Sequence, residues 1–109
     1  METAEIVQRQ RAYFATGATR PVGARIEALT RLQTYVQAKQ ADICAALQAD
    51  LHKAPFESYM SEIGMVLDEL RYAIGHVRAW AKPTRVRTPL AQFPARSRIY
   101  QEPYGVALI

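Results

Sequence analysis

PFESYMSEIGMVLDELRYAIGHVRAW, residues 55–80, is the longest stretch of this chain in which one periodicity holds. Pro55 suits the first turn of a helix, where its missing N–H would have no partner anyway. Pro83 stops whatever runs through Trp80. Between them Phe56, Tyr59/Met60, Ile63, Val66/Leu67, Leu70, Ala73/Ile74, Val77 and Trp80 recur at spacings of three and four. That pattern predicts one continuous amphipathic helix with a single apolar stripe.

Working toward the N-terminus, Asp42 is a candidate N-cap, and Ile43, Leu47 and Leu51 begin a shorter stripe behind it. Before it, Pro21 opens a helix whose apolar positions are Val22, Ile26, Leu29, Leu32 or Gln33, and Val36. The two stripes lose phase around Lys39-Gln40-Ala41-Asp42, so a kink or a break is expected there. From Thr3 to Tyr13 the residues Ile6 and Val7, with Phe14 beyond, suit a first helix ended by Gly17 as its cap.

Working toward the C-terminus, the organisation changes. Pro83 to Pro94 holds three prolines and alternating basic residues, which predicts an extended crossing and no helix. Arg96 to Gln101 alternates, with Arg96, Arg98 and Tyr100 on one side and Ser97, Ile99 and Gln101 on the other, as a half-exposed strand does. After the turn pair Tyr104-Gly105, the apolar run Val106-Ala107-Leu108-Ile109 has the composition of a strand entering a buried sheet. The fold class expected is mainly α, helices followed by a short pair of β-strands. Its boundaries are a helical region over 1–82, an extended crossing over 83–95, and a strand-forming region over 96–109. No internal repeat or low-complexity tract is present.

Charge divides along the same line. Residues 1–81 hold nine Lys/Arg and nine Asp/Glu, whereas residues 82–109 hold Lys82, Arg85, Arg87, Arg96 and Arg98 against Glu102 alone, so the whole excess of +4 lies in the last quarter. The basic residues interleave with Phe93 and Tyr100, which is one way to build a nucleic-acid surface. A short basic stretch is more often a solvated connector, and the second helix of a helix-turn-helix drawn over 22–51 would offer Asp50 and no Lys or Arg before Lys53, so no nucleic-acid partner is expected. There is no apolar leader and no run long enough to span a bilayer, which favours a cytoplasmic protein without a membrane segment. The single cysteine, Cys44, excludes an internal disulfide scaffold.

Candidate chemistry is sparse. His52 and His76 are far apart and Cys44 joins neither at a ligand spacing, so no metal site is expected. Cys44 sits among alanines with no base nearby, which reads as a packing thiol and not a nucleophile. Glu57, Glu62, Asp68 and Glu69 share the 55–80 helix and suit a solvated face, with Asp68 and Arg71 pairing at i, i+3. The five glycines form neither a dinucleotide fingerprint nor a phosphate loop. Catalytic, cofactor-binding and metal-binding residues are therefore all expected to be absent from this chain.

Three stretches in order, QRAYFATGATRPVGARIEAL (10–29), ALQADLHKAPFESYMSEIGMVLDELRYAI (46–74) and WAKPTRVRTPLAQFPARSRIYQEPYGVALI (80–109), carry a family likeness. Their most specific features are Ala49-Asp50-Leu51-His52-Lys53, the Glu57…Glu62-Ile63-Gly64 spacing, the crossing with Lys82-Pro83, Thr88-Pro89-Leu90 and Phe93-Pro94, and Glu102-Pro103-Tyr104-Gly105-Val106. Together they resemble the N-terminal region of aldehyde dehydrogenases, in the class-3-like branch that includes fatty and coniferyl aldehyde dehydrogenases. The resemblance implies an NAD(P)-dependent oxidation of aldehydes to carboxylic acids by the whole protein. It also implies that the catalytic cysteine, the glutamate that activates water, the oxyanion-binding asparagine and the NAD(P) site lie beyond Ile109, where 106–109 would lead into the first strand of the nucleotide-binding sheet.

By the same resemblance, residues 1–82 are the helical N-terminal region of the nucleotide-binding domain, the helix ending at Trp80 packs beside its sheet, and 96–102 belongs to an arm through which subunits form a homo-oligomer, a dimer. The stripe from Phe56 to Trp80 agrees, because it asks for more cover than the other helices here readily supply. Residues 1–109 alone are then expected to be inactive and to bind no NAD(P)+. The alternative is a free-standing helical module that binds a protein through the Phe56–Trp80 face. The reading frame past Ile109 discriminates the two.

Overall fold

The structure, a computed structural model, describes residues 2–109. Its elements are α1 (Thr3–Ala15), α2 (Val22–Ala38), α3 (Gln40–Leu51), α4 (Pro55–Ser58), a π turn (Tyr59–Ile63), α5 (Gly64–Trp80), β1 (Thr84–Val86), a single 3-10 turn (Leu90–Gln92) and β2 (Ser97–Ile99). They fall into two compact units: residues up to Arg25 together with Val77–Ile109, and Ile26–His76.

In the Ile26–His76 unit the decisive feature is the π turn. One helix from Pro55 to Trp80 was the expectation. Instead the Gly64 N–H donates to the Tyr59 carbonyl five residues back, and the extra residue resets the phase of everything before it. Counting back from Leu70, Leu67 and Ile63 in an ordinary helix would bring Tyr59 or Met60 inward. With five residues in the turn the inward position is Ser58, which is fully buried, while Tyr59 and Met60 are exposed. The apolar core is Ile63, Leu67 and Leu70. Phe56, Val66 and Trp80 of the expected stripe are exposed, and Ala73, Ile74 and Val77 are half-buried. α4 is in contact with α3.

Gly64 permits this turn. A Cβ on it would stand 2.9 Å from the Tyr59 carbonyl oxygen, closer than van der Waals contact allows. Ser61 Oγ donates to the Glu57 carbonyl at 2.8 Å, four residues back along the turn. Gly64→Ala is therefore expected to destabilise the chain by on the order of 1–2 kcal/mol, against the ~1 kcal/mol that alanine gains in an ordinary helix. A urea titration followed by circular dichroism checks the sign, and a stabilised variant would mean that the π turn relaxes to α-helix at little cost.

Between α2 and α3 the chain bends without breaking its hydrogen bonds. Lys39 has φ −99° and ψ 13°, while its N–H still reaches the Tyr35 carbonyl and its carbonyl still accepts from Ile43. Asp42 is not the N-cap expected of it. It lies in the first turn of α3 and takes an ion pair from Lys39 at 2.8 Å, a placement that the positive helix N-terminus favours. α3 ends at His52, which adopts φ +55°, a left-handed conformation that histidine tolerates better than bulkier residues.

In the other unit, α1 ends as expected at Gly17, which takes φ +76° and donates its N–H to the Phe14 carbonyl. β1 pairs antiparallel with β2 in the register Thr84↔Ile99, Arg85↔Arg98 and Val86↔Ser97. The strand pair thus differs from the expected one. β1 lies inside the stretch 83–95 read as a plain crossing, because Pro83 and Pro89 bracket five residues with backbone N–H groups, and the first three of them form the strand. Val106–Ile109 is not a strand, since no neighbouring chain among the described residues offers it a ladder. No helix among the described residues is long and apolar enough to cross a membrane.

Candidate functional site

The most organised surface of the Val77–Ile109 unit is built around the turn after α1. Arg25 bends back to donate from Nε to the Thr19 carbonyl at 3.0 Å and from a terminal nitrogen to the Arg20 carbonyl at 2.9 Å. Its planar guanidinium fixes both peptides at once. Arg20, held this way, pairs with Glu102 at 2.6 Å, joining segments 82 residues apart in sequence. Both side chains are well exposed, so the pair sets position more than it adds stability.

Glu102 in turn delivers the segment that follows it to α1. Gly105 takes φ +109°, and a Cβ there would meet the Phe14 ring at 3.6 Å. A glycine is suited to that position by its backbone angle more than by space. On this side of α1 the residues Ile6, Tyr13, Phe14, Thr19, Val106 and Ala107 line an open, largely apolar groove of about 630 Å3. Beyond it Tyr104, Leu108 and Ile109 stand fully in solvent. The arrangement holds an apolar segment against a helix and leaves its outer side uncovered, which is the geometry of a packing surface and not of a reaction centre.

In the other unit, the Lys53 and Glu62 side chains meet at 2.7 Å, with the lysine side chain only 19% exposed. This pair spans the π turn from the α3–α4 link and helps hold Glu57…Glu62-Ile63-Gly64 in its altered phase. Ser58 Oγ and Thr19 Oγ1 are buried without hydrogen-bond partners.

The residues singled out for chemistry do not converge. His52 is exposed. His76 Nδ1 lies 2.7 Å from the Tyr72 carbonyl, with its ring stacked on that tyrosine at 3.9 Å between centroids. Cys44 is a half-buried free thiol. Asp68 accepts from Arg71 at 2.7 Å, and Glu57 and Glu69 face solvent. Among the described residues no three His, Cys, Asp or Glu side chains are grouped to hold a metal ion. Sequence reasoning missed the π turn, the Arg25 clamp and the Arg20–Glu102 pair. Only the first left a local signal, a glycine inside a helical pattern at Gly64.

No family model matches the chain. Individual proteins do. The chain is 38% identical over 99 residues to the 4,4'-diaponeurosporen-aldehyde dehydrogenase of Staphylococcus aureus, which covers 91% of this chain and 22% of that protein. It is 41% identical over 106 residues to the dimeric NADP-preferring aldehyde dehydrogenase of Canis lupus familiaris, covering 96% of this chain and 23% of the relative. A solved structure, the substrate-bound state of Staphylococcus aureus AldH, superposes with a TM-score of 0.87 at 35% identity, over 95% of this chain and 23% of the other. The chain thus spans somewhat under a quarter of the length of the relatives it matches. Their shared name agrees with the motifs Ala49–Lys53, Glu57…Gly64 and Glu102–Val106, and the structural match with the helix order that carries them. The homologues of this chain are aldehyde dehydrogenases, and the chain corresponds to an N-terminal segment of that family.

Proposed function

We propose that these residues form the N-terminal scaffold of an NAD(P)-dependent aldehyde dehydrogenase that oxidises aldehydes to carboxylic acids, and that they contribute to its assembly. The reading is supported above all by the TM-score of 0.87 over 95% of the chain, at an identity that makes chance likeness untenable. When bound, NAD+ or NADP+ supplies the hydride acceptor. The role of the present residues is positional. α4, the π turn and α5 offer one side to a packed core and expose Phe56, Met60, Val66 and Trp80 on others, and the groove on α1 places Val106 and Ala107 beside a helix. Residues 1–82 would support the nucleotide-binding sheet, and the arm containing β2 would meet a second subunit in a homo-oligomer of the cytoplasm.

The test uses the whole reading frame that carries this segment, supplied with an aliphatic or aromatic aldehyde and with NAD+ or NADP+. Aldehyde-dependent reduction of one cofactor, with the carboxylic acid as product, is the expected result, and residues 1–109 alone are expected to give none. No reduction with either cofactor by a folded whole protein would end the enzymatic reading. Removal of Thr84–Ile99 tests the assembly role separately: an unchanged sedimentation coefficient per subunit mass would end that reading.

A further inference from the structure

Between Lys53 and Gly64 the sequence pattern and the fold favour different helical registers. The apolar positions Phe56, Tyr59/Met60 and Ile63 keep an α-helical period straight through the turn. The chain instead inserts one residue, bonds the Gly64 N–H to the Tyr59 carbonyl and turns Ser58 into the core. That register has two costs. The Ser58 hydroxyl is buried with no hydrogen bond to the protein, which is unfavourable for a polar group taken from water. The i→i+5 turn is also a rare one that the ordinary ladder displaces in most helices. Against these costs stands the ion pair of Lys53 Nζ with Glu62 Oε1 at 2.7 Å, which bridges the turn from the α3–α4 link. The lysine side chain is only 19% exposed, and further cover over the turn would bury it more. Separating a pair this buried leaves a charge without its partner, a larger loss than a surface pair incurs.

We propose that Lys53 and Glu62 latch a helix with two registers. With the pair closed, the run from Pro55 to Trp80 keeps its five-residue turn. With the pair open, the turn closes to i→i+4 bonding, and the chain ahead of it rotates by about 100° and shifts by ~1.5 Å along the axis relative to Ile63. Tyr59 then takes the inward place of Ser58, and the serine hydroxyl leaves the core. A side chain about 5 Å from the axis moves by roughly 7 Å in such a rotation. The Lys53–Glu62 contact does not survive that movement, so it belongs to one register only. An exclusive contact of this kind makes an element bistable instead of continuously adjustable. Gly64 reports which register is present. In the five-residue turn an added Cβ would stand 2.9 Å from the Tyr59 carbonyl oxygen, whereas in an ordinary helix alanine is the better residue. The device concerns this helix alone and does not depend on the oxidation of aldehydes.

The test follows hydrogen–deuterium exchange of residues 55–66 by mass spectrometry, in the product of the whole reading frame that carries this segment and with rates corrected for intrinsic exchange. Gly64→Ala is expected to speed exchange about fivefold in the otherwise native protein, where it strains the turn. In a Lys53→Met background, where the turn has closed to an ordinary helix, the same substitution is expected to slow exchange about fivefold. Methionine keeps the apolar stem of the lysine, so packing changes little while the charge is lost. If Lys53→Met does not fold, Glu62→Gln opens the latch from the other side and is read in its place, with the same reversal expected. The proposal is overturned if Gly64→Ala shifts exchange in the same direction with and without the pair, or if it slows exchange in the otherwise native protein. It is overturned as well if Lys53→Met and Glu62→Gln both unfold, since the pair would then hold the fold and not the register.

Discussion

Replacing Leu67 by alanine is expected to lower the stability of the chain by about 2–4 kcal/mol, the range for a large-to-small change at a fully packed position. Leu67 is 6% exposed, and among the described residues its companions in the buried apolar core are Ile63 and Leu70. With so few buried side chains, little can relax into the space, so the cavity persists and the loss falls in the upper half of that range. It is a large share of what holds a domain of this size together. Met65→Ala on the same helix is the control, because Met65 is 61% exposed and truncation there should change stability by less than about 0.5 kcal/mol. Urea titrations of both variants, read by circular dichroism, decide the matter. Equal midpoints for the two would mean that Leu67 is not in a packed core.

That contrast between Leu67 and its neighbours shows where the sequence was legible. Pro55, Pro83, Pro21 and Gly17 marked element boundaries correctly because each acts on its own backbone, through a missing N–H or an allowed positive φ. The choice between Val66 and Leu67 was open, since a helical stripe tolerates either. It is closed by the π turn, whose cause is spread over Ser58, Ser61, Gly64 and the Lys53–Glu62 pair. No single residue announces it, and a period of 3.6 read straight through Pro55–Trp80 places Tyr59 or Met60 inward where the chain places Ser58. β1 escaped notice for a related reason. A strand of three residues carries too little pattern, and only the partner Ser97–Ile99 makes Thr84–Val86 one. The surface on α1 was less legible still. Arg20 and Glu102 look like ordinary solvated charges until the fold brings them together, and Gly105 reads as a turn residue until Phe14 is beside it. What did reach across those distances was the likeness of ordered motifs, and it did so without indicating any of these contacts.

Residues 1–109 in isolation are expected to bind a hydrophobic dye and to self-associate. Phe56 is 78% exposed, Leu90 88% and Phe93 83%, and Tyr104, Leu108 and Ile109 are bare. Scattered apolar residues are normal on any surface, but Leu108 and Ile109 adjoin the open groove formed by α1 with Val106 and Ala107, which makes the exposure contiguous. Covering apolar surface is worth about 25 cal/mol per Å2, so a few hundred Å2 amount to several kcal/mol available to any partner, including a second copy. Extended segments without a ladder partner add unpaired N–H and C=O groups to that attraction. Deleting Val106–Ile109 removes the segment from the groove and should therefore act in two opposed ways. It exposes Phe14 and Ile6 a little more, yet it removes the four residues with the greatest capacity to pair with another chain. The second effect is larger, because the groove alone offers no backbone hydrogen bonds, so the deletion should reduce the oligomer seen by size-exclusion chromatography while leaving helical circular dichroism intact. An intact chain that is monomeric and dye-silent, with a sharp cooperative melt, would show that α1 and the core of Ile63, Leu67 and Leu70 need no further cover, and the free-standing helical module would then be the better reading.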